Sequence, residues 1–291
     1  MTADESALDA LRAEIDEIDN ALLDLLQRRG EVARAIRDAK GPGGGIFRPG
    51  REAAVLRRLL ARHRGNLPKA AVVRLWREIF AAATALQGRF AVAVHSNDGD
   101  QALRTLARDH FGSLTPIAPF GSALGVVRAV TEGEATVGVF PLPQTDDREP
   151  WWPHLARVAP ATPRVVARLP FAAQAGSGAE ALVIALPPVE ASGHDCGYLI
   201  AESDDQLSRS ALRSLLTASD LVVRDIQVVD QGGGRWLNLI EVEGLLPADD
   251  RRLTRFVDRG EAVIHQIWPL GGYAVPLTAK ELALAKRDLV P

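Results

Sequence analysis

The chain has 291 residues, 47% apolar and 24% charged, with a formal net charge of −3. That length allows two or three compact domains, and the near-neutral balance excludes the clustered basic excess of a nucleic-acid binder. One cysteine and six scattered histidines leave no disulfide framework and no metal-ligand spacing, so neither metal nor cofactor is expected.

The opening MTADESALDALR is acidic and lacks the apolar core of a secretory signal. No run approaches the ~18 apolar residues of a membrane span, so a cytoplasmic protein is expected. Residues 6–89 read as all helix. The first helix runs from about Ser6 to Lys40, where GPGGG at 41–45 stops it. Its apolar stripe is Leu8, Leu11, Ile15, Ile18, Leu22 and Leu25. A second helix begins near Pro49 and lasts to Gly65-Asn66; a third starts at Pro68 and carries VVRLWREIFAAATALQ. At ~1.5 Å per residue the first helix is a rod of roughly 50 Å. A domain of this size has a radius of gyration of only about 12 Å, so two shorter helices cannot cover that rod. A two-chain bundle with the first helices paired would bury the stripe, and a homodimer is predicted.

From Phe90 the period changes to an α/β pattern. FAVAVH reads as a strand, DQALRTLARDHFG as a helix, and LGVVRAVTEGEA with TVGVFPL as a helix and strand. PRVVARLPF and EALVIAL are two further strands. In the last segment GYLIAE, DQLSRSALRSLLTAS, LVVRDIQVV, RWLNLIEVE, ADDRRLTRFVDRG and AVIHQIWPL give the order βαββαβ, which fits a small sheet with helices on one face. DQGGG is the hairpin turn inside it. The predicted units are therefore 1–89 helical, 90–192 α/β, 193–278 α+β, and a tail at 279–291.

The informative defect is in the first stripe. After Leu25 its next places fall to Arg29, Val32, Ile36 and then Ala39 or Lys40. A charge in an apolar seam costs several kcal/mol unless it meets a partner. The plain reading is a solvated seam end or an interhelical ion pair. Several polar groups nevertheless converge. Arg29 and Lys40 face the same way within about 20°. Arg51-Glu52 opens the second helix close by, and Gln87 lies on a third-helix row with Trp76, Phe80 and Ala83. Such a lining, mostly cationic with one carboxylate and one amide, suits a small dicarboxylate bearing hydroxyl or ether oxygens. It offers no nucleophile–base pair.

LRAEIDEIDNALLDLLQRR, VARAIRDAK, FRPGREAAVL and REIFAAATALQ, in this order over residues 8–89, closely resemble the all-helical class of chorismate mutase. The resemblance implies an isomerase that rearranges chorismate to prephenate without cofactor or covalent intermediate. It implies that Arg29 and Arg51 bind substrate carboxylates and that Arg12 reaches in from the partner chain. Arg12 sits about 80° to 100° round the helix from Arg29 and Lys40, consistent with serving a different pocket. Lys40 and Gln87 match donors to the ether oxygen, and Glu52 matches the acceptor of the substrate hydroxyl. Arg48 occupies a substrate-side position where some relatives carry aspartate, and Ala83 one where many carry serine.

FAVAVHSNDGDQALRTLARDHFG and VVRAVTEGEATVGVFPLPQ resemble the first lobe of prephenate dehydratase, and the βαββαβ tail resembles a regulatory ACT domain. The order is that of a bifunctional enzyme of phenylalanine synthesis, in degenerate form. Ala179-Glu180-Ala181 replaces the family's Thr-Arg-Phe, and Pro141-Leu142-Pro143-Gln144-Thr145 replaces Pro-Ile-Glu-Asn-Ser. Fewer than 40 residues separate the two places, too few for a second lobe. No dehydratase activity is expected. The effector-binding Gly-Ala-Leu and Glu-Ser-Arg-Pro patterns of ACT domains are not found; around their places stand Asp205-Gln206-Leu207-Ser208 and Gln227-Val228-Val229-Asp230, so a retained fold without ligand contacts is expected, with an amino-acid effector as the alternative.

Trp151-Trp152 is read as covering the exposed edge of the shortened lobe, and Cys196 as a small packed residue. His95 and His265 need no catalytic role, and Gly30 is read as a place of close approach beside the pocket. A mutase with an inactive dehydratase-like region leads. A bifunctional mutase–dehydratase and a non-catalytic scaffold are the alternatives, the last disfavoured by the presence of Arg12, Arg29, Lys40, Arg51, Glu52 and Gln87.

Overall fold

The computed structural model describes residues 3–41, 45–96, 101–145, 147, 149–156, 162–172, 178–186, 188–203 and 207–283. Helix α1 (Ala3–Lys40) has 38 residues and starts a little before the expected Ser6. Helices α2 (Pro49–Arg62) and α3 (Lys69–Gln87) follow, each opened by proline, whose fixed φ and missing N–H suit a helix start. In its C-terminal third α1 touches α3, although Val32 and Ile36 stay about half exposed there. Ala33 is buried there, and Gly30 faces Leu86 Cδ1 of α3. A methyl group at Gly30 would meet that atom at an ordinary 3.4 Å, so the backbone approach does not require glycine. Upstream the stripe lies bare: Leu11 is 58% exposed and Leu25 65%.

The remaining chain builds β1 (Val92–His95), α4 (Ala102–Phe111), β2 (Ile117–Phe120), α5 (Ala123–Thr131), β3 (Val137–Pro141), β4 (Arg164–Leu169) and β5 (Ala181–Ala185). Then come β6 (Asp195–Ser203), α6 (Arg209–Ala218), β7 (Val223–Gly232), β8 (Arg235–Glu243), α7 (Arg251–Arg259), β9 (Ile264–Ala274) and α8 (Ala279–Leu282). The nine strands among the described residues join one sheet in the order β2-β1-β3-β5-β4-β9-β6-β8-β7. The 192/193 boundary expected from the sequence falls between β5 and β6 of that sheet, and a short parallel pairing of β4 with β9 joins the two parts.

Both faces of the sheet are covered, in different ways along its length. Over β1, β3, β4 and β5, α4 supplies Leu103, Leu106, Ala107 and Phe111 to one face. On the opposite face, α5 and a 3-10 turn at Trp152–Leu155 pack on Phe140, Leu182 and Ile184, and on Tyr198, Leu239 and Trp268 further along. Helices α6 and α7 share one face of β6–β9, as the βαββαβ order requires, through Leu212, Leu216, Leu253 and Phe256. Cys196 is buried, and Gly232-Gly233-Gly234 forms the β7–β8 hairpin turn with positive φ throughout.

Trp151 and Trp152 correct one expectation. They are structural, but they fill the seam on a sheet face instead of covering an edge. Both are almost fully buried; Trp151 stacks on Phe140 at 4.4 Å and donates to Pro141 O at 2.9 Å. An indole buried this way needs such a partner.

The helical unit docks on the sheet through α2 and α3, whose Ala53, Leu56, Leu60, Val72 and Val73 share a core with Phe171, Ala274 and Leu277. Arg57 adds a fan of bonds to Ser192 Oγ, His194 O and Val275 O. No described helix is long and apolar enough to cross a membrane.

Candidate functional site

A cavity of about 430 Å3 opens where the α1 stripe is interrupted. Three elements meet there. From α1 come Arg29, Val32, Ala33 and Ile36, at the 3-4-7 spacing that keeps side chains on one face. From α3 come Trp76, Phe80, Ala83, Thr84 and Gln87, on the same periodic logic. The third wall is the start of α2. The turn before it is pinned by Phe47, whose ring lies 5.6 Å from those of both Phe90 and Phe111. That anchor sets Arg48, Arg51 and Glu52 beside the end of α1, and Arg58 joins them two turns later.

The site residues expected from the sequence mostly meet in this cavity. Arg29 is partly buried; its guanidinium sits 5.7 Å over Phe80 and Nη1 donates to Ile79 O at 3.4 Å. Burial holds its pKa below the usual arginine value, partly offset by the nearby Glu52 charge. Glu52 accepts a 2.9 Å bond from Arg77 Nη1. Desolvation raises the Glu52 carboxyl pKa, against the attraction of Arg77 and Arg29. Arg51 lines the cavity from the first turn of α2 and remains exposed. Gln87 lines the cavity and donates one Nε2 N–H to Ala83 O, 3.1 Å away and one turn back.

Three expected residues stand apart. Arg48 lines the rim, yet its Nε donates to Glu190 Oε1 at 2.6 Å, so its charge is already engaged by the α/β region. Arg12 is exposed and pairs with Asp9 at 3.0 Å. It lies 17 residues before Arg29, about 26 Å along the helix, far from its own chain's cavity. Lys40 ends α1; its side chain falls outside the described residues.

Sequence reasoning missed Arg58 and Arg77. Arg58 follows Arg51 by seven residues, within about 20° on the same helix face, so a signal was present. Arg77 sits off the Trp76–Gln87 row and is only 6% exposed, and nothing local marks its partner. The described lining thus carries four arginines against one carboxylate, with Gln87 and Thr84 as neutral polar groups. Such a field suits a small dianion.

At the replaced motifs, Leu142, Pro143 and Arg168 line a second cavity of about 530 Å3, whose described lining sets two arginines, Arg168 and Arg224, against three carboxylates, Asp225, Glu241 and Glu243. Glu180 is bound by Arg168 Nη2 at 3.0 Å, and Arg168 also donates to the Tyr273 hydroxyl at 3.1 Å. Tyr273 and Tyr198 both donate to the buried Glu241. Thr145 donates to Gln227 Oε1 at 2.9 Å, tying the loop after β3 to β7. Of the residues expected around effector places, Asp205 and Gln206 lie outside the described residues.

Residues 11–88 match the family model of chorismate mutase type II. Over 146 residues the chain is 34% identical to a bifunctional chorismate mutase/prephenate dehydratase of Pseudomonas aeruginosa, a stretch covering 48% of this chain and 40% of that protein. Over 101 residues it is 38% identical to the protein of the same description from Neisseria gonorrhoeae, covering 35% and 27%. The matched stretch therefore spans two fifths or less of these relatives. Among solved structures, a prephenate dehydratase from Streptococcus mutans aligns over 65% of this chain and all of its own, with 15% identity and a TM-score of 0.45.

Proposed function

We propose that this chain, whose residues 11–88 form a chorismate mutase type II domain, rearranges chorismate to prephenate in the cavity between α1, α2 and α3. One observation carries the reading: Arg29, Arg51, Glu52 and Gln87 converge where the α1 seam stops being apolar. Arg29 and Arg51 would hold the two carboxylates, and Glu52 would accept from the hydroxyl. Lys40 and Gln87 would donate to the ether oxygen as the C–O bond breaks. Gln87 Nε2 carries two N–H donors, so its bond to Ala83 O leaves one for the ligand. Catalysis of this kind rests on holding a reactive conformer and meeting developing charge. A ~10⁶-fold acceleration needs about 8 kcal/mol, within reach of two aimed donors at roughly 3 kcal/mol each plus restriction of the substrate.

The reading includes a homodimer through α1 and a cytoplasmic setting. In the dimer the bare stripe is covered and the partner's copy of Arg12 reaches this cavity. The deciding experiment is chorismate consumption by the full chain with product identification. Prephenate is the expected product; unchanged chorismate overturns the reading.

The names of the curated relatives suggest a second activity, loss of carboxylate and water from prephenate. Glu180 bound to Arg168 at the replaced motif supports its absence. The ACT-like part is read as a fold kept for association, without an effector. Tight calorimetric binding of phenylalanine, tyrosine or tryptophan would overturn that.

A further inference from the structure

The carboxylate of Glu52 meets cations from two other helices. Arg29 attracts it from α1 and Arg77 approaches from α3, while Arg48, Arg51 and Arg58 line the same cavity, Arg48 already paired with Glu190. Of these only Arg77 bonds it directly, through Nη1 to Oε2 at 2.9 Å. Arg77 does not line the cavity. It is 6% exposed and lies against the α/β region, with its guanidinium 5.4 Å over the ring of Phe171. Phe171 is itself buried just after β4, and its carbonyl accepts from Leu277 N at 2.7 Å. On the same side His110 of α4 is buried beside Arg77, and Asp109 is engaged by Arg74 at 3.8 Å.

We infer that Arg77 is the positioning residue for Glu52. Clamped between α3 and Phe171, it keeps that carboxylate ionised and aimed, so that it accepts a hydrogen bond from a ligand hydroxyl. This rests on the mutase reading of the cavity. The physical case starts from burial. A carboxyl group in this setting favours the neutral acid, since desolvation disfavours its charge. The neutral acid would offer a proton where the ligand hydroxyl needs an acceptor. A monodentate guanidinium contact stabilises the anion and fixes one oxygen, which leaves the other for the cavity. Because Phe171 backs the guanidinium, the docked α/β region supports the site chemically as well as mechanically.

The test uses the full chain and the pH dependence of kcat/KM for chorismate. In Arg77→Met, turnover at neutral pH should drop and partly return at higher pH, with the acid limb moved up by about one unit or more. Arg77→Lys, which keeps the charge, should hold that limb near its original place. In a Glu52→Gln background, adding Arg77→Met should move no limb. An acid limb unchanged between wild type and a folded Arg77→Met overturns the inference. A 13C titration of the Glu52 carboxyl in both proteins gives the same answer without turnover. A chain that leaves chorismate unchanged therefore refutes the mutase reading and still decides Arg77. Should Arg77→Met not fold, Phe171→Leu replaces it: a raised Glu52 titration supports the inference, and an unmoved one overturns it.

Discussion

Arg29 is a cation held in a helix seam at a cost. Burial disfavours its charge, and the nearby Glu52 carboxylate compensates only in part. Replacing it should therefore cost function and not stability. Arg29→Ala is expected to lower turnover by about 10²–10³-fold, the scale seen when one aimed electrostatic contact is lost. Thermal melting should hold or rise, and a large drop would mark Arg29 as structural. Gln87→Glu tests the ether-oxygen donor. Only a protonated carboxyl can donate, so activity should survive at low pH and fall as pH rises; a flat profile refutes the role. His110 makes a separate prediction about stability. It is buried, its Nε2 has no hydrogen-bond partner among the described residues, and burial and Arg77 hold its pKa well below 6.5. The unfolded chain then binds the proton first. Stability is full above the unfolded histidine pKa and falls as pH drops through it, by up to about 1.4 kcal/mol per pH unit. His110→Phe should flatten that part of a melting-temperature profile.

At the scale of elements, α1 carries two kinds of information in one period. From Leu8 to Leu25 its stripe is exposed on the single chain, and from Arg29 onward it lines a cavity. Burying a Leu or Ile side chain stabilises by roughly 1.5–3 kcal/mol, so six such positions per helix would hold a dimer firmly. Leu22→Asp should give a monomer in sedimentation and remove turnover, although Leu22 touches no ligand in this reading. A mixing experiment addresses the crossed site. Arg12→Ala and Arg29→Ala should each be nearly inactive alone. Unfolded and refolded together in equal amounts, they should recover about a quarter of wild-type activity, since half the dimers are mixed and each has one intact cavity. No recovery would place Arg12 outside the partner's site. The three helices were legible because their stripes, and the opening prolines of α2 and α3, are local signals. Strand β2 was not: Ile117–Phe120 contains a proline, is largely exposed and becomes a strand only through its parallel pairing with β1.

Over the whole molecule, a single sheet joins the α/β part from β1 to β5 with the βαββαβ part from β6 to β9. The Trp151–Trp152 turn packs across their shared face. The Arg168–Glu180 contact and the Tyr198 and Tyr273 bonds to Glu241 lie around the same junction. The expected consequence is that purified chain incubated with prephenate at neutral pH releases no phenylpyruvate. Release above the spontaneous rate would restore the bifunctional reading.

The sequence by itself determined the helical unit, the cationic break in its first stripe and the βαββαβ order of the last part. Each follows from periodicity or residue type within a window of some twenty residues, where side-chain direction repeats with the backbone. Only the tertiary structure decided the continuity of the sheet, the burial of the tryptophan pair, the capture of Arg48 by Glu190 across 142 residues, and the Arg77 clamp on Glu52. Strand partners and buried ion pairs are chosen by which surfaces meet after folding. An arginine one place off a helix row shows nothing of that choice until Phe171 and Glu52 close around it.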